Sequence, residues 1–225
     1  MNSYVMTIVL MIVTIMSYAL SLEIAKKFRY SFTTPLFVAT LIIIGIFLLF
    51  NISYQDYMIA SDIITYLLGP ATVAIAVPIY KNRQLFSKYF ISAFVGIGIG
   101  SIVTIGSAVI FAKVIGLDQS IELSLTLKSM TTPVAVEVAK IIGANIPLSA
   151  AFVVVTGIIG AMFGPWIMTI AKISHPISRG LALGVISHGI GTSEAIKEGE
   201  VEGAVAGSAM GVTALILAIA IPLIL

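Results

Sequence analysis

Residues 4–22, 35–50, 89–112, 147–171 and 204–225 are apolar almost without interruption, and such runs constrain a chain more than any other feature it has. A helix needs about 20 residues to cross a hydrocarbon core about 30 Å thick, and within lipid only helices and closed barrels satisfy their own backbone. These runs are too long and too evenly apolar for half-buried strands, so an all-α fold is expected. A further run, 57–80, has the same character but is interrupted by Gly69-Pro70 and by Pro78, where a helix kinks or stops. Composition agrees: 10% of the residues are charged, against about 25% in soluble domains. The expectation is a polytopic helical membrane protein, a single transmembrane domain over 1–225 with about six full spans and no length left for a soluble domain.

The basic residues follow alternate runs: Lys26, Lys27 and Arg29, then Lys81, Arg83 and Lys88, then Lys172, His175 and Arg179. By the positive-inside rule these loops are cytoplasmic and the N-terminus lies outside. The first run has no basic residue before it and no small-x-small cleavage pattern after it, so it is read as a retained span and not a secretion signal. The formal charge of +2 is spread over short loops. No face tracks phosphates, so nucleic acid is not an expected partner. Without cysteine, disulfides, thiolate catalysis and cysteine metal sites are excluded.

Two stretches are too polar to be ordinary spans. Residues 113–146 contain an amphipathic part with Asp118, Glu122 and Lys128, followed by Met130-Thr131-Thr132-Pro133. If the flanking loops lie where their charges put them, this stretch starts and ends outside. It is then a re-entrant hairpin turning near Thr131 to Pro133, or two short half-helices. Residues 180–203 hold Ser187-His188-Gly189-Ile190-Gly191-Thr192 and then Glu194, Lys197, Glu198, Glu200 and Glu202, and read as a second re-entrant or broken segment. Irregular backbone at membrane depth survives only where protein or a water-filled cavity surrounds it.

Short motifs recur in order. Thr33-Thr34-Pro35 returns as Thr131-Thr132-Pro133, Gly69-Pro70 as Gly164-Pro165, and Gly98-Ile99-Gly100-Ser101 as Gly189-Ile190-Gly191-Thr192. A two-repeat architecture is expected, with candidate repeats 33–112 and 131–225; an inverted repeat is one arrangement, and charge counting leaves the relative direction open. Interrupted segments at matching positions of two repeats are typical of secondary transporters, whose sites lie near the bilayer midplane.

A half-helix starting at Thr131, Thr132 and Pro133 exposes free N–H groups and the positive end of its dipole, which suits a carboxylate; a capped helix start at a loop is the alternative. Glu137, one turn on, is a candidate proton or ion carrier, or else the partner of Lys140 three residues away. Ser187, His188, Gly189, Gly191 and Thr192 let backbone approach a ligand while the imidazole bonds or titrates, so His188 is a candidate for both substrate binding and coupling. A satisfied structural histidine is the competing reading. No metal-ligand spacing surrounds His188, no nucleophile elbow is present, and neither a metal, a cofactor nor an enzymatic reaction is expected. Arg179 can offer a guanidinium to a carboxylate or anchor the cytoplasmic edge.

The motifs Gly69-Pro70-Ala71-Thr72-Val73-Ala74, Lys128-Ser129-Met130-Thr131-Thr132-Pro133-Val134-Ala135, Arg179-Gly180-Leu181-Ala182-Leu183-Gly184, Ser187 to Thr192, Glu200-x-Glu202-Gly203-Ala204 and Met210-Gly211 resemble those of the LrgB and CidB family of bacterial membrane proteins. The resemblance covers essentially the whole chain. It implies a multi-pass protein of the bacterial cytoplasmic membrane, antiholin-like or holin-like in the control of murein hydrolase activity and autolysis, beside a smaller LrgA- or CidA-type partner. Relatives such as the plastid glycolate and glycerate transporter imply instead a carrier of small carboxylates. Thr131, Thr132, Pro133, Glu137, His188, Gly189 and Gly191 match the family pattern and are carried over as site positions. A homo-oligomer is also expected.

Overall fold

The structure, a computed structural model, describes residues 3–28, 33–67, 70, 73, 74, 76–81 and 83–225. It is helical throughout the described residues and divides into two compact units, 1–71 and 72–225. Arg29 of the first basic loop and Gly69 of the first Gly-Pro pair lie outside the described residues.

The first unit holds α1 (Ser3–Lys27), α2 (Pro35–Leu49) and α3 (Tyr54–Tyr66). Pro35 takes the first helical position of α2, where a missing N–H is no loss. Ser53 and Asp56 close a capping box at the start of α3, each side chain bonding the other's backbone N–H. α1 packs on both other helices; Thr14 Oγ1 meets the Tyr57 hydroxyl at 3.1 Å, and Phe47 meets the Tyr57 ring edge-on at 5.1 Å.

The second unit runs α4 (Ala76–Lys81), α5 (Arg83–Lys88), α6 (Phe90–Ile115), α7 (Gln119–Thr126), α8 (Thr132–Ile142), α9 (Ile146–Ile170), α10 (Pro176–Glu198) and α11 (Glu200–Ile224). Gly116 and Gly143 end α6 and α8 in the left-handed conformation that glycine adopts without a Cβ clash. Asn145 caps α9 by accepting from the Leu148 N–H. α11 is the core helix: Gly203, Ala206, Gly207, Ser208, Ala209 and Gly211 are buried along it, small enough to admit neighbouring backbones.

Among the described residues, α1, α6, α9 and α11 are long and apolar enough to cross a membrane, while α2 is a shorter apolar helix. Within the expected span 57–80, α3 ends at Tyr66 with Leu67 as its C-cap, and α4 begins at Ala76. α11 starts at Glu200 rather than near residue 204, because Gly199 separates it from α10 and places Glu200 and Glu202 in its first turn, where the helix dipole favours acids.

Candidate functional site

Both polar stretches break where irregular structure was expected. The stretch 113–146 forms two short helices, α7 and α8, and the chain turns between Thr126 and Thr132. α10 is nominally one helix, but His188 inside it has φ 41° and ψ −128°. Contacts with α11 show what that angle does. In the first arm, 176–187, Gly180 lies against Glu202 and Val205 and Gly184 against Ala206, so arm and helix run in the same direction. In the second arm, 189–198, Thr192 reaches Met210 while Ile196 lies against Gly203, so this arm runs back. α10 is therefore a hairpin with His188 at its tip.

Its base is clamped. Arg179 donates to both carboxylate oxygens of Glu198, at 2.7 Å from Nε and 2.5 Å from Nη2, and to the carbonyls of Ile173 and Pro165. Those bonds occupy the guanidinium, so Arg179 joins the two arms and is not open to a substrate carboxylate.

α9 measures where the two broken segments meet. Near its start, the Asn145 carbonyl accepts from Ser124 of α7 at 3.4 Å. Two turns on, Val153 packs in one apolar cluster with Leu127 and Met130 of the α7–α8 turn, Ala135 and Val138 of α8, and Leu217 and Ile221 of α11. The carbonyl of the same Val153 accepts from His188 Nε2 at 2.9 Å, and a Cβ at Gly157 would stand 2.6 Å from the imidazole. Farther along, Pro165 and Thr169 meet Arg179 at the base of the α10 hairpin. At 1.5 Å per residue, Val153 lies about 12 Å from the Asn145 end and about 24 Å from Thr169. The two broken segments thus enter along α9 from opposite ends, and their tips converge at Val153.

α6 and α11 register the same level. Gly100 of α6 faces Val185, just before the α10 tip, and one turn later Thr104 meets Lys128 and Ser129 of the α7–α8 turn. On α11, Met210 touches the α10 tip and Leu217 the α8 cluster, with Thr213 between them. The hydroxyls of Ser101, Thr131, Ser187 and Thr213 are buried with no hydrogen-bond partner among the described residues. Each such group costs about 1–3 kcal/mol, and all four belong to the elements that form this layer.

The residues singled out from sequence divide accordingly. Thr131 is the N-cap of α8, followed by Thr132 and by Pro133 in the first turn; it is 6% exposed and makes no cap bond. Ser187 is packed against Gly160, Gly189 lies toward Met210, and Gly191 backs onto the Leu183 carbonyl. Thr192 Oγ1 donates to the His188 carbonyl at 2.8 Å. Glu137 is not drawn into this layer: its side chain is 68% exposed and pairs with Lys140 at 2.7 Å. Lys128, Thr104, Ser101 and Thr213 also belong to the layer; Thr104 and Thr213 carry no sequence mark of it, and Ser101 is marked only by the recurrence of Gly98 to Ser101. The available hint is Lys128, a lone cation beside the Thr-Thr-Pro motif, which reads in sequence as part of an amphipathic face.

Two opposed, interrupted segments that meet around buried hydroxyls and a histidine, framed by membrane-length helices, define a class: a multi-pass membrane protein with a polar layer at its centre. The chain belongs to the LrgB-like family, whose model matches residues 14–225. It is 33% identical to the uncharacterized protein YwbG of Bacillus subtilis over 97% of each chain. It is 34% identical to the antiholin-like protein LrgB of the same organism, covering 94% of this chain and 92% of that one. Identity to the holin-like protein CidB of Staphylococcus aureus is 28%, over 100% of this chain and 98% of the relative. No solved structure matches. Spans and family together make it a multi-pass bacterial membrane protein.

Proposed function

We propose that this chain carries a small monocarboxylate of the pyruvate or glycolate type across the bacterial cytoplasmic membrane, with no chemical conversion. The observation that carries the reading is the convergence of two broken segments on Val153 of α9, among buried hydroxyls that have no partner among the described residues. Oppositely entering segments that meet at mid-depth suit a site alternately open to either side. The carboxylate sits at the start of α8, against Thr131, Thr132 and the first free amides. His188 holds its Nε2–H on Val153, so the neutral ring keeps Nδ1 to accept from a substrate hydroxyl. A 2-hydroxy acid is then favoured over a 2-oxo acid. Glu137 lies outside this scheme as the partner of Lys140.

Uptake of labelled glycolate and pyruvate into proteoliposomes tests the carrier. Saturable uptake of both, with the lower KM for glycolate, is expected; no uptake with or without a small LrgA- or CidA-type membrane protein would overturn it.

A second reading draws on the names of the relatives, antiholin-like LrgB and holin-like CidB: a non-transporting regulator of murein hydrolase activity and autolysis that acts through such a partner. It predicts co-purification with the partner and altered autolysis on deletion, in the absence of uptake.

A further inference from the structure

The turn between α7 and α8 holds a cation with no acid to match it. Among the described residues, every ion pair within 4 Å involves other lysines or Arg179, and Lys128 has no carboxylate partner. It is not stacked on a ring either. Its Nζ instead donates to Thr104 Oγ1 of α6 at 2.6 Å, and Thr104 Oγ1 lies 3.3 Å from Ser129 Oγ. A charge at this depth is costly and normally finds a counter-ion. An ammonium has three donors, and Thr104 takes one.

Four residues on, α8 begins. Helix geometry leaves the Thr132 and Val134 N–H groups without intrahelical acceptors, and Pro133 between them has no N–H. The capping position is Thr131, 6% exposed, whose hydroxyl bonds neither those amides nor any other described group. An N-cap side chain normally accepts from such amides; here both the hydroxyl and the amides are left for something else.

We propose that Lys128, held by Thr104, is the charge that receives the substrate anion, and that it closes with Thr131 and the α8 amides around one carboxylate. This rests on the carrier reading for its physiological meaning and deepens it by naming the group that holds the substrate's charge. One uncompensated cation at a mid-membrane site matches one negative charge, so monoanions are taken and dicarboxylates are rejected. Thr104 is a positioning residue, since it acts by fixing the ammonium.

Two measurements test this. In proteoliposomes, Lys128→Met raises the KM for glycolate at least tenfold, Lys128→Arg restores part of it, and Thr104→Val raises KM without lowering kcat to the same degree; succinate does not compete. Independently of transport, wild-type protein is treated with a membrane-permeant acetylating reagent, and modification is read by mass spectrometry. Glycolate at millimolar concentration slows acetylation of Lys128 and leaves that of the exposed Lys140 unchanged. Protection without uptake would sink the carrier and keep the anion site. Uptake with no protection, and with an unchanged KM in a folded Lys128→Met protein, would overturn the site and keep the carrier. If Lys128→Met does not fold, the protection assay on wild-type protein and the Arg variant still decide.

Discussion

At the scale of single residues, His188 stands in a backbone conformation that a side chain seldom tolerates. A φ of 41° outside glycine costs about 1–3 kcal/mol, and the Val153 bond and the packing on Gly157 hold the tip there. His188→Ala removes the bond and keeps the strained angle, so a loss of about 1–3 kcal/mol is expected. His188→Gly removes the same ring but relieves the strain, and should be the more stable of the two despite its greater chain entropy. Thermal unfolding of the detergent-purified variants checks the order; a glycine variant less stable than alanine would mean that the tip is not held against its backbone preference. Uptake should be lost in both. Position 188 stands out in sequence, as a polar group in an apolar chain, but its geometry does not. Local preference assigns a reversal to Gly189 or Gly191, yet neither has a positive φ. Gly191 is used instead for close approach to the Leu183 carbonyl, and packing of the two arms leaves the turn to histidine.

At the scale of elements, the α10 hairpin depends on the clamp at its base. Arg179 and Glu198 side chains are only 14% and 17% exposed, and removing one member of a largely buried pair costs roughly 3 kcal/mol. Glu198→Gln should therefore lower the unfolding temperature and increase hydrogen exchange in 189–198 more than in α11; equal changes in both would show that the arms are not separately held. A milder, pH-dependent case is the α3 cap. The Ser53 side chain and backbone N–H hold the Asp56 carboxylate below its ordinary value of 3.8. A depressed acid contributes stability above its unfolded pKa and loses it as the pH falls through the folded value. Asp56→Asn should thus reduce protection of the first turn of α3 at neutral pH, and its difference from wild type should shrink as the pH falls below the ordinary value of 3.8 and vanish once it has passed the lowered folded value; a difference that persisted beyond that would point to a steric cause. Spans such as 89–112 and 147–171 are legible because lipid demands long apolar helices, and α6 and α9 follow them within a few residues. The hairpins are legible only as defects in that pattern. Hydrophobicity shows that 180–203 is no ordinary span, but the reversal at His188 is fixed by contacts with α11, which a local pattern does not contain.

At the scale of the whole molecule, the two broken segments make a claim about sides. α9 runs from Ile146 to Ile170, about 37 Å at 1.5 Å per residue, enough to cross a hydrocarbon core of about 30 Å. The α7–α8 pair is anchored at its first end through Ser124 and Asn145, and the α10 hairpin at its last through Arg179. The loops around Asp118 and around Lys172 must then lie on opposite faces of the membrane, and the excess of Lys172, His175 and Arg179 puts the second in the cytoplasm. The chain contains no cysteine, so single substitutions report cleanly. In intact cells, an impermeant maleimide should label Asp118→Cys directly and Lys172→Cys only after permeabilisation, with the same pattern for Asn145→Cys and Lys197→Cys. A carrier needs this opposition, because each tip must be reachable from the face its own hairpin enters. Labelling of all four positions from one side would mean that the hairpins enter together, and the central layer would then be a vestibule open to one face instead of a site between two.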